Sequence, residues 1–250
     1  TVYIRVQERA RYNQYLEQHL PAVLANPAIA PRKKADLLYT VSSNVVAECL
    51  GDPRAEAIVA RTRRVAESTI DFVLRSDRSV AQLASLMATD YYTYTHSINV
   101  SVFSVALAHR VGVTRADLAE FATGALLHDV GKSEIPAELL TRAGPLTPEE
   151  TRVMQQHVGI GERLLTTHHR LSPFAMLAVK QHHEKIDGSG YPRGLERDQV
   201  HMFGRISAIA DCFDAMTTNR SYQRAMKPYD ALLLMRNQLR GNYDQTLLDE

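Results

Sequence analysis

The residues with the most chemistry to offer are histidines and aspartates set among apolar neighbours. They are His96 in "YTHSINV", His128 and Asp129 in "LLHDVGK", His157 in "MQQHVGI", the pair His182–His183 in "KQHHEK", and Asp211 in "AIADCF". Each falls on the apolar side of a helical pattern. His96 shares a face with Val100, Phe103 and Leu107, and His157 with Val153, Ile160 and Leu164. His182 follows Ala175 and Ala178, His183 follows Met176 and Val179, and the His128–Asp129 pair ends a stripe of Leu118, Ala122 and Ala125. Taken singly, a histidine on such a face is more often a hydrogen-bonded core residue than a ligand. Burying so many ionisable groups together is costly unless they share a partner. Imidazole and carboxylate suit iron, manganese or zinc, and helical bundles build such sites from inward-facing side chains. These residues exceed what one open ion needs and suit two, with the two oxygens of Asp129 available to bridge them.

Helices have to position these groups, and the sequence reads as helix after helix, an all-α fold. "RYNQYLEQHL" places Tyr12, Tyr15, Leu16, His19 and Leu20 on one stripe, with a break expected at Pro21 and through "ANPAIAPRKK". A second pattern carries Leu37, Val41 and Val45 and stops at "LGDP". Ile58, Thr62, Val65, Thr69 and Phe72 follow a 4-3-4-3 spacing, too short for a sustained coiled coil. Packing within the chain is the expected role of that stripe, and a homodimer through the N-terminal helices is the alternative. Residues 1–80 are expected to form an N-terminal helical module and 81–250 the functional domain. Thr147-Pro148-Glu149-Glu150 has the form of a capping box, and Ser172-Pro173 opens the helix that ends at the histidine pair. Gly188 and Gly190 then permit a turn.

Composition removes several other readings. The apolar fraction is 45%, the charged fraction 23% and the net charge +1 over 250 residues. This is an ordinary globular balance, with no general attraction to a nucleic-acid polymer or an anionic membrane. Cys49 and Cys212 form no CxxC, so neither a disulfide framework nor a thiolate zinc site is indicated. No apolar run approaches the ~18 residues of a membrane span, and no signal-peptide pattern is present. A cytoplasmic location is expected, and the opening on Thr1 rather than Met is what an excerpt of a longer protein would show.

The segments "YTHSINV", "LLHDVGKSEIP", "GPLTPEE…QQH", "HHEKIDGSGYPRGL" and "RISAIADCFDAMTTNRSY" resemble, in this order, the HD-GYP family of metal-dependent phosphohydrolases. The resemblance implies an HD-domain helical bundle. It also implies hydrolysis of cyclic di-GMP to pGpG by water activated at a metal cluster, a second cut to GMP being left open by the sequence. Carried over by motif, His96, His128, Asp129, His157, His182, His183 and Asp211 correspond to metal ligands. Asp129 and Lys132 correspond to catalytic positions, Lys132 also contacting the substrate phosphate. Gly190, Tyr191 and Pro192 match the substrate loop, and Arg220 a basic position near the nucleotide. Some members carry a metal-recruiting glutamate where this chain has Tyr92, so two divalent ions are expected, iron or manganese first and zinc or another divalent ion next. Gln223 replaces a basic residue of some members, with Arg224 close by. GGDEF-domain proteins are implied partners of the GYP loop. The alternative is a module that binds cyclic di-GMP or a protein without turnover, or an HD phosphohydrolase for another nucleotide, mixed-purine cyclic dinucleotides included.

Overall fold

The computed structural model describes residues 5–86, 93–142, 144–168, 171–219 and 224–250. Among these the secondary structure is helical, with one isolated bridge between Asp187 and Glu196. The N-terminal part contains α1 (Arg9–Ala25), α2 (Pro31–Gly51), α3 (Ile58–Val73) and α4 (Asp77–Ala84). It is followed by α5 (Thr93–Arg110), α6 (Arg115–Leu127), a 3-10 turn (Val130–Glu134) and the short α7 (Ala137–Leu140). The remainder is α8 (Pro148–His168), α9 (Pro173–Gln181), α10 (Met202–Thr217), α11 (Pro228–Asn237) and α12 (Gln245–Leu248).

The punctuation in the sequence does what its chemistry demands at α8 and α9. Glu150 accepts from the Thr147 amide at 2.8 Å while Thr147 Oγ1 accepts from the Glu150 amide at 3.3 Å, a reciprocal capping box. Ser172 caps α9 by accepting from the Ala175 amide. Pro21, by contrast, lies inside α1 and does not end it; the break comes at 26–30. The stripe expected on α1 is also rotated. Tyr12 and Tyr15 are exposed, and the buried face is Glu17, Leu20 and Leu24. Glu17 can be buried because Arg61 forks onto it at 2.6 and 2.9 Å, satisfying both carboxylate oxygens.

The 4-3-4-3 stripe of α3 is buried within the chain, against α2 and α6. One hydrophobic cluster extends from Leu20 and Leu24 through Leu38, Val45, Ile70, Phe121 and Leu127 to Phe203 and Leu247. Around it, α5 packs on α6 and α10, and α6 also packs on α9. The turn after α6 packs on α8 at Gly131, where an added Cβ would lie 1.9 Å from the His157 carbonyl oxygen. Only glycine allows that approach. It brings the turn that carries Asp129 and Lys132 against the helix that carries His157.

Candidate metal centre

Five stretches of chain supply the site, and Asp129 is at its middle. His96 comes from α5, His128 and Asp129 from the end of α6, and His157 from α8. His182 and His183 follow α9, and Asp211 lies on α10. Asp129 Oδ2 is 3.6 Å from His96 Nε2 and 3.4 Å from His128 Nε2. Its other oxygen is 3.3 Å from His157 Nε2 and 3.8 Å from His182 Nε2. Asp211 closes the far side, with Oδ1 2.9 Å from His96 Nε2 and Oδ2 3.4 Å from His183 Nδ1. The structure therefore brings all seven of these sequence-derived residues together. His96, His128, Asp129, His157 and His182 are buried, while His183 and Asp211 line the more open side.

The rings are oriented by their outer nitrogens. His128 Nδ1 donates to the Ala125 carbonyl at 2.7 Å and His157 Nδ1 to Met154 at 2.7 Å. His182 Nδ1 lies 3.0 Å from the carbonyls of Ala178 and Val179. A carbonyl can only accept, so each Nδ1 carries the ring proton and each Nε2 presents a lone pair to the centre. Burial disfavours the charged form of three of the rings: it pushes His157 and His182 below their usual value and takes His183 down to about 3. For the carboxylates, burial would favour the neutral acid, but neighbouring groups prevail. Lys132, then His128, hold Asp129 well below the ordinary range, and His183 and His96 do the same for Asp211.

This donor set fits metal ions. His157 Nε2 faces His182 Nε2 at 3.2 Å, two lone pairs opposed with no proton between them. The buried atoms His128 Nε2 and Asp129 Oδ1 have no hydrogen-bond partner. Two groupings, Asp129 with His157, His182 and His183, and Asp129 with His96 and His128, have ligand atoms within 4.8 Å of one another. A cation at each would meet converging donors and relieve the opposed lone pairs. The shared member of the two groupings is Asp129.

The other expected residues take varied places. Lys132 is 16% exposed and its ammonium lies 2.5 Å from Asp129 Oδ2, at the mouth of the centre. Tyr191 stacks on His183, with ring centroids 4.6 Å apart and planes 28° from parallel, and meets His157 edge-on. Gly190 lets its loop lie on the histidine segment, since a Cβ there would fall 2.4 Å from the Lys185 nitrogen. Pro192 is exposed. Arg220, Gln223 and Tyr92 lie outside the described residues.

One contributor was not singled out in the sequence, and another has a different role from the ones expected of it. Asp214 accepts from His96 Nδ1 at 2.6 Å, and its position three residues after Asp211 on the same helix was the available signal. Glu184 is read from the sequence equally as a support for a ligand histidine or as an exposed helix end, and it is neither. It is buried and accepts the amides of Arg193 and Leu195 at 2.8 and 2.9 Å, fastening the glycine-rich loop to the histidine pair.

Comparison with known proteins agrees with this geometry. Residues 61–247 match the family described as HD domain. The cyclic di-GMP phosphodiesterase PA4108 of Pseudomonas aeruginosa is 33% identical over 69% of this chain and 41% of its own length. A 3'3'-cGAMP-specific phosphodiesterase 3 of Vibrio cholerae is 38% identical over 61% of this chain and 33% of its length. A cyclic di-GMP phosphodiesterase of Thermotoga maritima is 41% identical over 54% of this chain and 37% of its length. The chain thus spans well under half the length of these relatives. The solved structure of Bd1817, a HDG"Y"P protein from Bdellovibrio bacteriovorus, superposes with a TM-score of 0.83, covering 99% of this chain and 80% of that one at 20% identity. With its buried His-Asp centre held in an all-helical bundle, and most of its length matched, this chain belongs to the HD-domain family and carries the sequence features of its HD-GYP branch.

Proposed function

We propose that the chain is a metal-dependent phosphodiesterase that hydrolyses cyclic di-GMP to pGpG. The observation that carries the reading is the convergence of four histidine Nε2 atoms on the two oxygens of one buried carboxylate. His96, His128, Asp129, His157, His182, His183 and Asp211 would hold two divalent ions, iron or manganese first. When bound, such ions supply positive charge to the phosphodiester and lower the pKa of water towards about 7.

The chain's own residues contribute orientation and charge. The backbone carbonyls behind His128, His157 and His182 fix which ring nitrogen faces inward. Lys132 sets an ammonium beside Asp129, where it can pair with a phosphoryl oxygen as negative charge develops there. Tyr191 remains a neutral phenol, because burial pushes its ionisation upward, and its ring offers a flat apolar face beside His183 for a purine or ribose. Gly190, Pro192 and Arg220 complete the substrate side of the proposal. The division into a helical module over 1–80 and a phosphohydrolase domain over 81–250 belongs to it as well.

A second reading has support: a relative named as specific for 3'3'-cGAMP is as similar as those named for cyclic di-GMP. GGDEF-domain proteins at the loop and a homodimer through the N-terminal helices are proposed partners. A dimer would use the exposed Tyr12 and Tyr15 of α1, the α3 stripe being buried. The test is anaerobic turnover of both cyclic dinucleotides with metal content measured on the same sample and His128→Ala/Asp129→Ala as control. Turnover of cyclic di-GMP with about two ions per chain, both lost in the control, is expected. Turnover of 3'3'-cGAMP alone would replace the substrate, and protein that takes up no metal would leave only the binding-module reading.

A further inference from the structure

Two carboxylates on one face of α10 clamp the ring of His96, one at each nitrogen. Asp211 Oδ1 lies 2.9 Å from Nε2, and Asp214 Oδ2, about one turn later, lies 2.6 Å from Nδ1. Only Asp211 belongs to the proposed ligand set. Asp214 is 1% exposed and is anchored independently of His96: its Oδ1 accepts from Asn99 Nδ2 at 2.6 Å and from Thr218 Oγ1 at 3.0 Å. An ionised carboxylate can only accept, so Asp214 obliges Nδ1 to carry a proton and leaves Nε2, which faces Asp211 and Asp129, as the ring atom that can take an ion. His128, His157 and His182 have neutral backbone carbonyls in the equivalent place. His96 has an anion there. Negative charge behind an imidazole strengthens its inward nitrogen as a ligand and fixes the ring's orientation.

We propose that Asp214 is the positioning residue for the ion held by His96, His128 and Asp129, so that the two ion positions differ in their dependence on it. The proposal rests on the metal-centre reading above. In Asp214→Asn the amide either turns its NH2 to Nδ1, moving the ring proton onto Nε2, or presents a neutral oxygen where a carboxylate stood. Both outcomes make Nε2 a poorer donor. The position served by His157, His182 and His183 has no contact with Asp214 through its rings and keeps its donors.

The test uses the whole chain, stripped with a chelator and reloaded with Zn²⁺ in competition with a chromophoric chelator. Histidine ring 15N spectra are recorded on the metal-free form. In the wild type, His96 Nδ1 is expected to be protonated and two Zn²⁺ to bind. In Asp214→Asn, one Zn²⁺ should weaken about 10–100-fold, the cost typical of losing such an outer partner, while the other changes by less than about threefold. Thr218→Ala, which removes a hydrogen bond from the same carboxylate without touching His96, should leave both ions in place. Equal losses in Thr218→Ala and Asp214→Asn would indicate general loosening and overturn the proposal. So would an unprotonated Nδ1 in the wild type, a result that does not depend on the variant folding. Wild-type protein that takes up no Zn²⁺ overturns the metal-centre reading and the proposal with it. Two tight ions in both wild type and Asp214→Asn overturn the proposal alone.

Discussion

Lys132 and Asp129 divide the work of one short turn. Asp129 faces four imidazole nitrogens with its two oxygens, whereas Lys132 sets its ammonium against one of those oxygens. The ammonium is partly exposed, so it can exchange this contact for a phosphoryl oxygen without unburying the centre. Lys132→Ala should therefore retain its metal while kcat falls about 10²–10³-fold, the usual cost of removing one charge-stabilising donor. Metal content and steady-state kinetics on one preparation check this. Loss of metal together with activity would mean that Lys132 supports the ligands instead of the substrate. The His-Asp pair was legible in the sequence only together with the other inward-facing histidines and Asp211, because singly such residues read as hydrogen-bonded core groups. Asp214 was not, because a second aspartate on the same helix reads as a polar position until its distance to His96 is known.

Among the elements, the segment from His182 to Leu195 is the one whose shape most needs explaining. His182 caps α9, and the chain then turns back so that the Tyr191 amide donates to the His183 carbonyl at 3.1 Å. Glu184 takes the next two inward-facing amides, and Asn242 secures the base of the loop through Asp187 at 2.8 Å. The loop is thus fastened to the histidine segment at one end and to the C-terminal region at the other. Glutamine at 184 has one acceptor oxygen for two amides, so one buried N–H is left facing an NH2 group, at a cost of about 1–3 kcal/mol. For Glu184→Gln we expect faster amide exchange at Arg193 and Leu195 and a raised KM, with metal content unchanged. Hydrogen exchange and kinetics measure the two arms. Unaltered exchange at those amides would show that other contacts hold the loop.

At the scale of the whole molecule, the centre ties together helices distant in sequence. Residues from α5 to α10 converge on it, and the N-terminal helices α2 and α3 pack on α5 and α6, which carry His96 and the His128–Asp129 pair. Without cations the buried lone pairs of His157 and His182 oppose each other, so ion binding should stabilise the native state and barely the unfolded chain. Free metal at 100 times its dissociation constant contributes about 2.7 kcal/mol. For a chain of this size, that corresponds to a melting midpoint higher by roughly 5–10 °C. Calorimetry before and after chelation measures it; an unchanged midpoint would show that the buried cluster is stable without ions.

The amino-acid sequence alone determined the helical class, the caps at Thr147 and Ser172, and the helical faces that carry His96, His128, Asp129, His157, His182, His183 and Asp211. These depend on local periodicity and on hydrogen bonds reaching three or four residues along the chain. It left open what each group meets across the bundle. That Glu17 is buried on Arg61, that Glu184 holds a loop and not a histidine, and that Asp211 and Asp214 grip one ring from opposite sides are contacts between residues nine to more than a hundred positions apart. Only packing decided them, because a buried carboxylate takes whichever donor the tertiary structure brings within about 3 Å.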